Sequence, residues 1–169
     1  MRKLALVFTL IVIAFAFAAC DSYVASNQDT GFTYIHASFT LSIAPVRDDL
    51  LASFEYIHEM DYYEVRGFLR GERLVIWADV PLYNFAVVDL SHDFADDAFI
   101  YFINSTHGEV DLLLPGQAFV VNNYIVMGSF PWSGFTFTDA NNERHYFAMV
   151  QDQSDSDNHF NIWPIEVVK

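Results

Sequence analysis

The feature that most limits what this chain can fold into is a repeated unit, a short run of β-branched and aromatic residues closed off by Gly, Pro, Asn, Asp or Ser. Such side chains suit a pleated, half-buried surface, and the residues between them supply turns. Thr33 to Ile43, Leu74 to Val80, Phe85 to Leu90, Phe99 to Ile103, Ala118 to Val121, Tyr124 to Phe130, Phe135 to Thr138, His145 to Val150 and Phe160 to Val168 all have this form. Runs at this spacing predict an all-β sandwich or barrel. The reading adopted is an antiparallel β-sandwich, Ig-like or similar, with one short helix, against an α+β alternative.

The clearest hairpin runs from Phe135-Thr136-Phe137-Thr138 through Asp139-Ala140-Asn141-Asn142 to Arg144-His145-Tyr146-Phe147. Phe135 and Phe137 fall on one face, Thr136 and Thr138 on the other, and the Asx-rich link tolerates the left-handed φ values of a tight reversal. Pro115-Gly116 and Asn122-Asn123 are expected to be turns for the same reason. One stretch departs from the period of two. From Pro45 to Met60, Val46, Leu50, Phe54 and Ile57 recur at steps of four, four and three, behind Asp48 and Asp49. That spacing predicts a helix of about three turns with acids at its positive end, although Ser53 to His58 also fits an alternating strand.

The first residues differ in kind from the rest. Met1-Arg2-Lys3 is a basic head, and Leu4 to Ala19 carries Thr9 as its only polar side chain. Sixteen residues at about 1.5 Å rise span roughly 24 Å, short of the roughly 30 Å hydrocarbon core, so a secretory leader fits better than a spanning helix. Its end, Phe17-Ala18-Ala19-Cys20, resembles the lipobox of bacterial lipoproteins. The resemblance covers only this segment. It implies that residues 1–19 are a signal peptide and that Cys20 becomes a lipidated N-terminus. The mostly small or polar residues up to Thr30 make 20–30 a tether, and with no linker, composition break or repeat after Gly31, residues 31–169 are expected to form a single β-rich domain. The resemblance further implies a location at the cell membrane or outer envelope, on the extracytoplasmic face. Stable anchoring by acyl chains needs two of them or a second attachment.

Composition narrows the chemistry. Cys20 is the only cysteine, so no internal disulfide can form, and once it is acylated no thiol is left for nucleophilic, zinc or iron–sulfur duty. With 22 acidic against 8 Lys and Arg, the net charge is −14, and losing Arg2 and Lys3 takes it to −16. A domain of that sign repels phosphate backbones, so nucleic acid is not an expected partner.

Motifs for defined chemistry are missing. The six His lie far apart in sequence, and no phosphate-cradling glycine loop or serine elbow occurs. No catalytic residue is assigned. Two acidic groups stand out: Asp89, Asp93, Asp96 and Asp97 around His92, and the loop Asp152, Asp155, Asp157 and Asn158. The second is the candidate metal site, with calcium as its ion, because alternate acids on an irregular loop can turn several oxygens inward. Trp132, Tyr62 and Tyr63 are the candidate ligand-binding rings, each at an expected strand end or loop. The expected function is a non-catalytic binding or cell-envelope interaction module, with an envelope polysaccharide or a protein as partner. A small envelope hydrolase using a carboxylate pair and an accessory subunit of a membrane complex are the alternatives.

Overall fold

A computed structural model describes residues 22–24, 31–62, 72–95, 98–124, 132–152 and 159–168. Along the chain these form β1 (Ser22–Val24), β2 (Phe32–Ile35), β3 (Thr40–Pro45), α1 (Asp48–Leu51), β4 (Tyr56–Asp61), β5 (Glu72–Ala78), β6 (Leu82–Ala95), β7 (Ala98–Leu113), β8 (Gln117–Tyr124), β9 (Ser133–Thr138), β10 (Arg144–Asp152) and β11 (His159–Pro164). The first sheet has the order β1-β2-β3-β5-β8-β4 and the second β11-β10-β9-β6-β7. The fold is an all-β sandwich. Among the described residues the named strands pair antiparallel except β4 with β8, which run parallel from Tyr56 opposite Gln117 to Asp61 opposite Asn122, and Tyr101 makes one parallel bridge to Val167. Among the described residues no helix is long and apolar enough to cross a membrane.

Alternation builds the core. Leu41, Ile43, Leu74, Ile76, Phe119 and Val121 of the first sheet meet Phe85, Val87, Phe135, Phe137, Phe147 and Met149 of the second. Phe135 stacks between Phe85 and Phe147, with ring centroids 5.7 and 5.3 Å away. Fully burying such a side chain is worth about 1.5–3 kcal/mol, so these rings dominate the cohesion of the sheets.

Two strands of the first sheet are apolar on both faces. Val75, Ala118 and Val120 point away from the core and are buried with Ala44 beneath Val46, Leu50, Leu51, Phe54 and Ile57. The three-turn helix expected over Pro45 to Met60 is not found. One helical turn, Asp48–Leu51, is followed by a bend and β4. The recurring apolar positions share a destination on the back of the first sheet, and that shared face, not a helix, sets their spacing.

Two further expectations are corrected. Thr33 to Ile43 is two strands, because the His36 N–H donates to the Phe39 carbonyl at 2.9 Å and folds the chain back. Asn122-Asn123 lies inside β8, not in a turn, and the Asn122 Oδ1 accepts a hydrogen bond from Arg73 Nε at 2.8 Å. The turn at Pro115-Gly116 is present, with Gly116 at φ +83 as a left-handed position requires. The expected Phe135–Phe147 hairpin is present, with Phe135 opposite Phe147 and Thr138 opposite Arg144.

Candidate functional site

The longest elements, β6 and β7, form one hairpin whose far half carries a ring cluster. Side chains alternate along β6, so with Phe85 and Val87 in the core, Val88, Leu90, His92 and Phe94 face outward. Registry places Tyr101 opposite His92 and Phe99 opposite Phe94 on that same face. Trp132 joins them from the entry to β9, where its carbonyl accepts the Leu90 N–H at 2.8 Å. His92 sits among the rings, 5.5 Å from both Phe99 and Trp132 and 6.2 Å from Tyr101, while Phe94 meets Phe99 edge-on at 5.3 Å.

These rings are open to solvent: Phe94 is 60% exposed, Trp132 51% and Phe99 46%. Nearer the middle of the sheet the same face is covered. There Val88, Leu90, Tyr101 and Ala148 pack under Ile165 and Val167 of the C-terminal segment. That segment is tied down where Tyr146 and Tyr101 carbonyls accept the Ile165 and Val168 N–H groups, each at 3.0 Å.

On the opposite side of β6, facing the first sheet, lies a polar group. Asp89 accepts hydrogen bonds from the Tyr62 hydroxyl and, at 2.7 Å, from Ser105 Oγ, and its Oδ2 is 2.6 Å from His107 Nε2. The β6–β7 register skips His107, and such a bulge re-aims a side chain, here toward Asp89. Burial opposes ionisation of Asp89, but the bonds from Tyr62, Ser105 and His107, with the charge on His107, hold its carboxyl below the usual carboxylate range. The residue types are those of a serine relay, but the arrangement is not. Ser105 Oγ, at 3.4 Å, and Asp89 both address the same nitrogen of His107. A relay needs the acid on Nδ1 and the serine on Nε2, so that one nitrogen can take the proton while the other is held. The group is instead a tie between β4 and the long hairpin.

At the other end of β9, Asp139 is buried with its side chain 1% exposed. Its Oδ1 accepts the N–H groups of Asn141 and Glu143 at 2.9 and 3.0 Å, and its Oδ2 accepts Ser38 Oγ at 3.1 Å. Burial would raise its pKa, but these bonds and His145 outweigh that and bring it to about 2. Asp139 and Glu143 are close enough to suggest a hydrolase pair, with ligand atoms inside 4.8 Å. With its side chain 1% exposed, however, Asp139 is out of reach of a sugar carbon.

The candidate residues read from the sequence scatter. Trp132 is an exposed ring, as expected. Tyr62 is not: its ring is 4% exposed and packs in the core, because its hydroxyl finds Asp89 across the sandwich. Asp152 ends β10, its backbone paired with His159. Cys20, Tyr63, Asp155, Asp157 and Asn158 lie outside the described residues, as do Asp96 and Asp97. Asp89 and His92 of the first acidic group are not brought together, since alternation puts them on opposite faces of β6. The rings at 92, 94, 99 and 101 were missed, although their step of two on each side of the Asp96-Asp97 link placed them on one face. Asp89 with His107 has no comparable signal, because long-range registry and a bulge create it.

Comparisons with protein-family models, with curated proteins and with solved structures find no match to this chain.

Proposed function

We propose that this protein is a non-catalytic binding module, lipid-anchored through Cys20 at the extracytoplasmic face of a membrane, and that it holds an envelope polysaccharide against the outer face of the β6–β7 hairpin. The observation that carries the reading is the set of exposed rings Phe94, Phe99 and Trp132 gathered on one strand face around His92. Flat rings on a sheet offer stacking surface at small conformational cost, and His92 and the indole N–H add polar handles. The absence of a serine relay at Asp89–His107 and the burial of Asp139 count against the hydrolase alternative. The strong negative charge favours a neutral or cation-bearing polymer over an anionic one.

Two measurements test the halves of this reading separately. Cys20→Ser is expected to move the protein from the membrane to the soluble fraction, and unchanged fractionation rejects acylation there. The full-length chain, solubilised in detergent, is expected to sediment with insoluble cell-wall glycan. Failure to sediment with any such glycan rejects the polysaccharide, and capture of a defined envelope protein through the same rings would replace it with a protein partner.

A further inference from the structure

We propose that Asp139, Glu143 and His145 form a binding site for a divalent transition metal, zinc above all, in the loop of the β9–β10 hairpin. The ligand atoms of the three residues all lie within 4.8 Å of one another. His145 Nε2 stands 3.3 Å from Asp139 Oδ2. Two ligands of a tetrahedral zinc, each about 2.0–2.2 Å from the metal, stand about 3.3–3.6 Å apart, so the spacing of this pair is already that of a coordinated one.

The bonding of His145 points the same way. Its Nε2 is buried and makes no hydrogen bond, despite the nearby carboxylate, because the alignment is wrong for one. A buried ring nitrogen held only by an ion-pair contact outside hydrogen-bond geometry is poorly satisfied, and a metal ion lying between it and Asp139 would take its lone pair directly. The surroundings hold the ring still: it packs edge-on against Phe39 at 4.9 Å and His36 at 5.3 Å, and lies 5.2 Å from Phe137. Asp139 is fixed by Asn141 and Glu143 backbone and by Ser38, and Ser38 Oγ is in turn 2.8 Å from His36 Nδ1. Outer contacts of this kind orient ligands in metal sites. A mixed imidazole and carboxylate set suits zinc and its neighbours better than calcium, which takes six or more oxygens. Glu143 is exposed, so the ion could enter from solvent, and three protein ligands leave a fourth position to water. The site lies at the far end of β9 from the ring cluster and does not depend on the polysaccharide reading. Its effect would be to pin the β2–β3 turn to the β9–β10 hairpin.

The test is calorimetric titration of the full-length chain in detergent with zinc chloride, repeated on variants. One equivalent of zinc per chain is expected, with a rise in melting temperature that grows with zinc concentration. Glu143→Gln leaves the core untouched and should weaken binding at least about tenfold. His145→Gln should abolish it, while His107→Gln, in the other acid–histidine group, should leave it unchanged. Cobalt in place of zinc should give the visible bands of a tetrahedral ion in the wild type and not in Glu143→Gln. No stoichiometric uptake, affinity unchanged in Glu143→Gln, or an equal loss in His107→Gln would each overturn the site.

Discussion

The two sheets treat their outer faces differently. Behind the first sheet, Val46, Leu50, Leu51, Phe54 and Ile57 close over Ala44, Val75, Ala118 and Val120, and the apolar surface is sealed. Behind the second, among the described residues, Ile165 and Val167 cover Val88, Leu90, Tyr101 and Ala148, and the hairpin beyond them keeps Phe94, Phe99 and Trp132 in solvent. Both faces are apolar enough to need a cover, and the chain supplies one and a half. A contiguous apolar surface left open on a folded domain is what the proposed binding face requires.

The same substitution on each face should separate them most sharply. Val120→Asp places an unpaired charge in a fully buried position and should cost more than about 4 kcal/mol, enough to unfold a marginal domain. Phe94→Asp should change stability by no more than about 0.5 kcal/mol. Denaturant titration of both variants checks this, and a large loss from Phe94→Asp would mean that the far face is covered after all. Gly134 probes the covered part of the second face. A Cβ there would overlap the Phe147 carbonyl oxygen and press on the Leu90 side chain at 3.0 Å, so Gly134→Ala should cost about 1–3 kcal/mol by chemical denaturation.

The open part gives a smaller stability effect and a binding effect instead. Trp132→Ala should cost less than about 1 kcal/mol of stability, while weakening retention on cell-wall glycan about 30-fold, the scale of an aromatic interface anchor. A variant that loses stability but keeps its retention would reverse the assignment of the two faces.

The ends of β9 offer a last, weaker contrast. Asp139, held at a pKa of about 2, contributes stability that is fully present above the unfolded carboxylate pKa of about 4 and is lost as pH falls toward 2. Asp139→Asn should therefore flatten the acid limb of a melting-temperature profile recorded without added metal. Asp89, also depressed but with its side chain 27% exposed, should contribute less to that limb.

How much of this was written locally in the sequence depends on how far apart the cooperating residues lie. The Phe135–Phe147 hairpin is legible as strand, turn and strand, because alternating Phe and Thr declare a strand and Asp139 to Asn142 declare its turn. The stretch behind the first sheet departs from its helical pattern for a physical reason. Val46, Leu50, Phe54 and Ile57 recur at helical spacing because they cover one surface, and one helical turn, a bend and a strand meet that demand as well as a helix does. The place of Trp132 at a strand entry signals exposure, whereas Phe94 and Phe99 carry only a step of two across the Asp96-Asp97 acids, a pattern that a core strand shares. Tyr62 departs from its expected exposure because burial of its hydroxyl depends on Asp89, 27 residues away, and no local pattern announces that pairing. Asp139 with His145 was legible in principle, since the pair flanks a predicted turn, but the contribution of Ser38 comes from another hairpin.

The central claim is that the uncovered ring face is the surface this domain binds with. Its most direct test is co-sedimentation of the wild type and of a Phe94→Ala, Phe99→Ala, Trp132→Ala triple variant with insoluble cell-wall glycan, after circular dichroism shows both to be folded. Retention of the wild type and its loss in the triple variant is the predicted result. Equal retention of the two would contradict the claim and move the binding surface elsewhere on the molecule.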